Sequence, residues 1–141
     1  MGALDVIRST IRDNTATGGE GGGLLDRGGY VRVSHSTISG NQATTGGGIS
    51  HAGSLELVNS TISGNGSTGS GGGIYINGPA SILSSTIADN AADSDDNGSG
   101  SGGGISSQYS LASPVLGDTI LAGNHGGQSP DCESSSPTST W

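Results

Sequence analysis

The chain has 141 residues, among them 29 glycines and 4 prolines, a single cysteine, only 11% charged residues and a formal net charge of −8. Its acidity and its scarcity of aromatic residues weigh against nucleic-acid and anionic-membrane partners, and a lone Cys132 leaves no internal disulfide. No stretch approaches the roughly 18 apolar residues of a membrane span. The glycine and proline content borders on that of low-complexity chains, but the apolar residues are periodic rather than scattered.

In chain order the first phrase is RSTIRDN (8–14), followed by GGGL (21–24). HSTISGN (35–41) then precedes GGGI (46–49), NSTISGN (59–65) precedes GGGI (71–74), SSTIADN (84–90) precedes GGGI (102–105), and DTILAGN (118–124) closes the series. The closing asparagines Asn14, Asn41, Asn65, Asn90 and Asn124 are 27, 24, 25 and 34 residues apart, and the glycine runs 25, 25 and 31. A fixed internal period of about 25 residues marks a solenoid. Each unit carries short runs such as SLELVNSTIS or GGGIYI, rich in Ile, Val, Leu and Thr and bounded by Gly, Asn and Ser, which is strand chemistry. Three consecutive glycines oppose a helix by roughly 1 kcal/mol each.

The expected fold is all-β: one single-stranded right-handed parallel β-helix of about five coils over residues 1–128, with a Ser/Pro/Thr-rich tail or linker over 129–141. At a strand spacing of about 4.8 Å the coils make a rod roughly 24 Å long. Equivalent residues stack into columns. Ile11, Ile38, Ile62, Ile87 and Leu121 face the interior, and Thr10, Thr37, Thr61 and Thr86 face out. The five asparagines mark a corner, in αL geometry, with a ladder of amide hydrogen bonds. The glycine runs mark a second corner that needs positive φ or a close approach.

GGGI in phase with TIxxN resembles the GGAI and FxxN repeats of the polymorphic outer membrane proteins of chlamydiae and other pectin-lyase-like β-helix proteins, over about residues 4–132. The resemblance implies a non-catalytic scaffold of a bacterial surface or secreted protein, used in adhesion or carbohydrate contact, located outside the cell or at the outer membrane. Thr-Ile stands where that family has Phe, and no membrane barrel follows. The chain begins inside a strand phrase without a signal peptide, so it reads as a fragment of a longer solenoid. Open strand edges make end-to-end self-association an expected partner mode.

Four constellations carry candidate chemistry. The fourth unit holds an insertion, DSDDNGSG (93–100), in which Asp93, Asp95 and Asn97 with Gly98 match the first half of a calcium loop. Position twelve is Gly104 rather than Glu, so the set needs Asp89, Asp96 or a carbonyl to complete it; the plainer reading is a solvated acidic loop. Calcium is the only cofactor suggested, and no catalytic residue is assigned. Asp26 and His51 share a column on adjacent coils, about 5 Å apart, as in an acid/base dyad, although an exposed surface histidine is the commoner case. Asp13 and Asp89 are about 14 Å apart by strand spacing, too far for a glycosidase pair at roughly 5 to 9.5 Å. That leaves a polysaccharide-active enzyme fragment as an alternative. A second alternative is ice binding by the threonine column.

Overall fold

The computed structural model describes residues 2–109, 111, 113–127 and 129–134. Three five-stranded parallel sheets run along the molecule, each taking one strand per coil. The first holds Ala3–Ile7, Tyr30–Ser34, Ser54–Val58, Ala80–Leu83 and Val115–Gly117. The second holds Thr10–Arg12, Thr37–Ser39, Thr61–Ser63, Thr86–Ala88 and Ile120–Ala122. The third holds Leu24–Asp26, Ile49–His51, Ile74–Ile76, Ile105–Ser107 and Cys132–Ser134. Among the described residues there is no helix.

The last of these strands corrects the boundary drawn at residue 128. Cys132–Ser134 pairs in parallel with Ile105–Ser107, because the Cys132 side chain continues an apolar column on the core. Residues 135–141 of the expected tail lie outside the described residues.

Each position of NSTISGN (59–65) has its own structural task. Asn59 sits at φ 47°, in a column with Arg8, His35, Ser84 and Asp118, all at positive φ. Ser60 belongs to a hydroxyl ladder: Ser9 N–H donates to Ser36 Oγ at 3.0 Å, Ser36 N–H to Ser60 Oγ at 3.1 Å and Ser60 N–H to Ser85 Oγ at 3.2 Å. Thr61 stacks in register between Thr37 and Thr86 and is partly exposed, whereas Ile62 is fully buried. Gly64 carries a second bend at φ 62°, in column with Asp13, Gly40, Asp89 and Gly123. Asn65 then enters the amide ladder.

That ladder runs the length of the molecule. Nδ2 of Asn14, Asn41, Asn65 and Asn90 donates to Oδ1 of the asparagine one coil on, at 3.0, 3.0, 2.9 and 3.0 Å. Each of those Oδ1 atoms also accepts the backbone N–H of the preceding rung. Beyond Asn124 the next acceptor is Asp131, whose Oδ1 takes the Asn124 Nδ2–H at 3.0 Å. The expectation that these asparagines are themselves in αL geometry is corrected here: the left-handed residue is the one before each. Gly or Asp takes the bend at low cost, which leaves Asn in an ordinary conformation with its amide aimed along the rod.

The glycine corner lies against this ladder. Gly46 needs φ +63°. Gly48 has a different requirement, since a Cβ there would stand 2.6 Å from the Gly73 carbonyl and 3.1 Å from the Asn65 amide. Inside the three sheets lies the core, with Val33, Ile38, Leu57, Ile62, Ile74, Ile82, Ile87 and Ile105 among its fully buried residues.

Replacing Asn65 by Ala leaves the buried Asn41 N–H without its acceptor and removes both bonds donated by the Asn65 amide. At about 1–3 kcal/mol for the orphaned N–H, a urea titration of Asn65→Ala is expected to show a loss of roughly 2 kcal/mol or more. Asn14→Ala, at an exposed rung, is expected to lose about 1 kcal/mol or less.

Candidate functional site

The outward column of the third sheet is Leu25, Ser50, Tyr75, Ser106 and Glu133. Over it stand the segments that join the asparagine corner to the glycine corner. They stack as the coils do: Gly21 N–H donates to the Thr45 carbonyl at 2.9 Å, Gly46 N–H to Ser70 at 3.1 Å and Gly71 N–H to Ser101 at 3.0 Å. Floor and wall together enclose a groove of three clefts, about 340, 460 and 260 Å³. The first two share Glu20 and Tyr75, and the second and third share Ser70 and Gly100.

Tyr75 is half-buried at the middle of this groove. Burial pushes its hydroxyl above the ordinary tyrosine range, and the Glu20 carboxylate adds to the effect. Glu133 at the far end accepts hydrogen bonds from the Ser101 and Ser106 hydroxyls, the latter at 3.2 Å. Glu20 at the near end faces Arg27 across 4.0 Å. The walls otherwise present hydroxyls and amides, from Thr45, Ser70, Ser99 and Gln108. The groove escapes sequence reading because its walls come from non-repeating loops; the repeated outward position two residues beyond each glycine run is its only signal. The hydroxyl ladder has a sequence signal of its own, the repeated Ser of the STI phrase at Ser9, Ser36, Ser60 and Ser85.

Asp26 and His51 do meet, with His51 Nδ1 at 3.1 Å from Asp26 Oδ2. The expectation of an exposed histidine is corrected: His51 is 1% exposed, on the inward face in register with Ile76. Its Nδ1 is out of line for a hydrogen bond to Asp26, and its Nε2 has no polar partner. The ring is packed into the coil, while the Asp26 side chain, 30% exposed, opens onto the cleft that both residues line. Asp26 keeps a separate contact, accepting the Gly28 N–H at 3.2 Å.

In the acidic insertion, both oxygens of Asp93 accept the Gly98 N–H at 3.1 Å. Asp95 accepts from Asn97 Nδ2 at 2.8 Å, and Asn97 Oδ1 accepts from Ser99 N–H at 2.8 Å. The three residues of the expected calcium set are thus engaged with one another and with the backbone. No group of three or more His, Cys, Asp or Glu side chains placed to share a metal occurs among the described residues. Asp13 and Asp89 occupy one column, separated by three strand steps. The threonine column spans four coils in register and ends at Ile120, which is 60% exposed. Cys132 is half-buried, and burial, with Asp131 and Glu133 beside it, pushes its thiol up to about 12.

Three parallel sheets, each taking one strand per coil around a single apolar interior, define a β-solenoid. The chain matches the family described as a right handed beta helix region over residues 4–135, and it belongs to that family. No curated protein and no solved structure matches it.

His51→Ile places in the second coil the residue that Ile76 supplies in the third, and it removes a buried ring nitrogen with no partner. Stability is expected to rise by about 1 kcal/mol, read as a higher urea midpoint at unchanged slope.

Proposed function

We propose that the protein is a non-catalytic scaffold whose groove on the third sheet holds a neutral, hydroxyl-rich polymer such as a glycan, in the cell-surface or secreted setting that the sequence resemblance implies. The observation that carries this reading is Tyr75, a half-buried ring at the centre of a groove lined by hydroxyls and amides. An aromatic face covers the C–H side of a sugar ring, and flanking hydroxyls and amides exchange hydrogen bonds with its edges. The carboxylates of Glu20, Asp26 and Glu133 along the groove, on a chain of net charge −8, disfavour a polyuronate through like-charge repulsion.

Isothermal titration with neutral oligosaccharides is expected to give binding, with a polyuronate oligomer giving none. Tyr75→Ala is expected to weaken the neutral ligand by about 1 kcal/mol, roughly fivefold in Kd, with the fold intact by circular dichroism. Unchanged binding in the variant would remove Tyr75 from the site. Release of reducing or unsaturated ends during the same incubation would replace this reading with the polysaccharide-active alternative.

A further inference from the structure

The chain contains three Asn-Gly pairs, Asn65–Gly66, Asn77–Gly78 and Asn97–Gly98, and the fold puts them in three different environments. In such a pair the main-chain nitrogen of the glycine is unshielded by a side chain and can attack the asparagine Cγ. We propose that Asn97–Gly98 is a self-modification site, at which the protein converts Asn97 to aspartate and isoaspartate through a succinimide.

The groups around it match the steps. Asn97 Oδ1, where negative charge develops as the nitrogen adds to Cγ, already accepts from the Ser99 N–H at 2.8 Å and from the Ser99 hydroxyl, two donors placed as in an oxyanion hole. The nucleophile is Gly98 N, whose hydrogen points at both oxygens of Asp93, each 3.1 Å away. Asp93 takes that proton as the N–Cγ bond forms, acting as a general base. The Cγ–Nδ2 bond then breaks, and the proton returns from Asp93 to the departing nitrogen, which leaves as ammonia. Water opens the ring at either carbonyl. The net change is one water in and one ammonia out, with no redox partner. A Cβ built on Gly98 would meet no heavy atom within 4 Å, so the glycine is not hemmed in by the rest of the fold.

The other two pairs lack these features. Asn65 is a buried rung whose Nδ2 donates to Ile38 O and Asn90 Oδ1, while Gly66 N–H donates to Asn41 O at 2.9 Å; ring closure there would break the ladder. Gly78 is packed so closely that a Cβ would stand 2.0 Å from the Gly53 carbonyl, and no carboxylate takes its N–H among the described hydrogen bonds. Because Gly98, Ser99 and Gly100 line the groove, conversion adds a carboxylate at its rim. The isoaspartate product also inserts a methylene into the wall's main chain.

The test is peptide mass spectrometry of the full chain during incubation in neutral buffer, following the gain of one mass unit at each pair. Asn97 is expected to convert well ahead of Asn77, with Asn65 last. In urea the three rates are expected to converge, since the ordering comes from the fold. Asp93→Asn is expected to slow Asn97 several-fold and to leave Asn77 unchanged, with the fold checked by circular dichroism. Conversion at Asn97 no faster than at Asn77 in the folded protein, or a rate indifferent to Asp93→Asn, would overturn the proposal.

Discussion

The structure depends on one contact repeated along its length, the asparagine amide laid against the glycine corner. Each of the four inner and final rungs stands about 3 Å from where the Cβ of a corner glycine would be, at Gly23, Gly48, Gly73 and Gly104. Any side chain there would push the amide out of line with the next rung and expose a run of buried donors and acceptors. A buried polar column is stable only when every member is satisfied, and here each inner Oδ1 accepts two hydrogens while Nδ2 reaches both a carbonyl and the next rung. This is why the two repeated phrases keep the same period: they are opposite sides of one contact.

With the ladder fixing the coil-to-coil register, the core needs little variety. Columns of Ile, Val and Leu stack on their own kind, and the interior is thin enough that one branched side chain per position fills it. The hydroxyl ladder does at the neighbouring bend what the amide ladder does at the corner, satisfying backbone N–H groups that the sheets leave out. Both bends place non-glycine residues at positive φ, at a cost of order 1 kcal/mol each, and the stacking that follows offsets it.

The departures from repetition are where the molecule differs from a uniform rod. His51 interrupts an inward column next to Asp26 and leaves a ring nitrogen unmatched in the core. The insertion at 92–101 raises the wall of the groove at the coil where Tyr75 lies beneath it. The exposed ion pair Arg12–Asp13, at 2.9 Å, contributes little to stability at such a position, whereas Arg32–Glu56, at 3.3 Å, is half-buried.

The sequence alone determined the period, the parallel β-helix, the inward isoleucines and outward threonines, and the identity of the ladder residues. All of these follow from stacking, in which a residue meets its own copy and the pattern is written into the chain at fixed spacing. Tertiary structure decided the rest. The left-handed bend falls on Gly64 rather than Asn65 because the amide is needed for the ladder. Cys132–Ser134 joins the sheet because an apolar column was there to receive it. His51 is buried because its position in register faces inward, a matter of alternation within one short strand that neighbouring polar residues conceal. The groove needs Glu20, Thr45, Ser70, Ser99 and Glu133, which share no spacing and come together only through hydrogen bonds between coils, a relation that no local pattern carries.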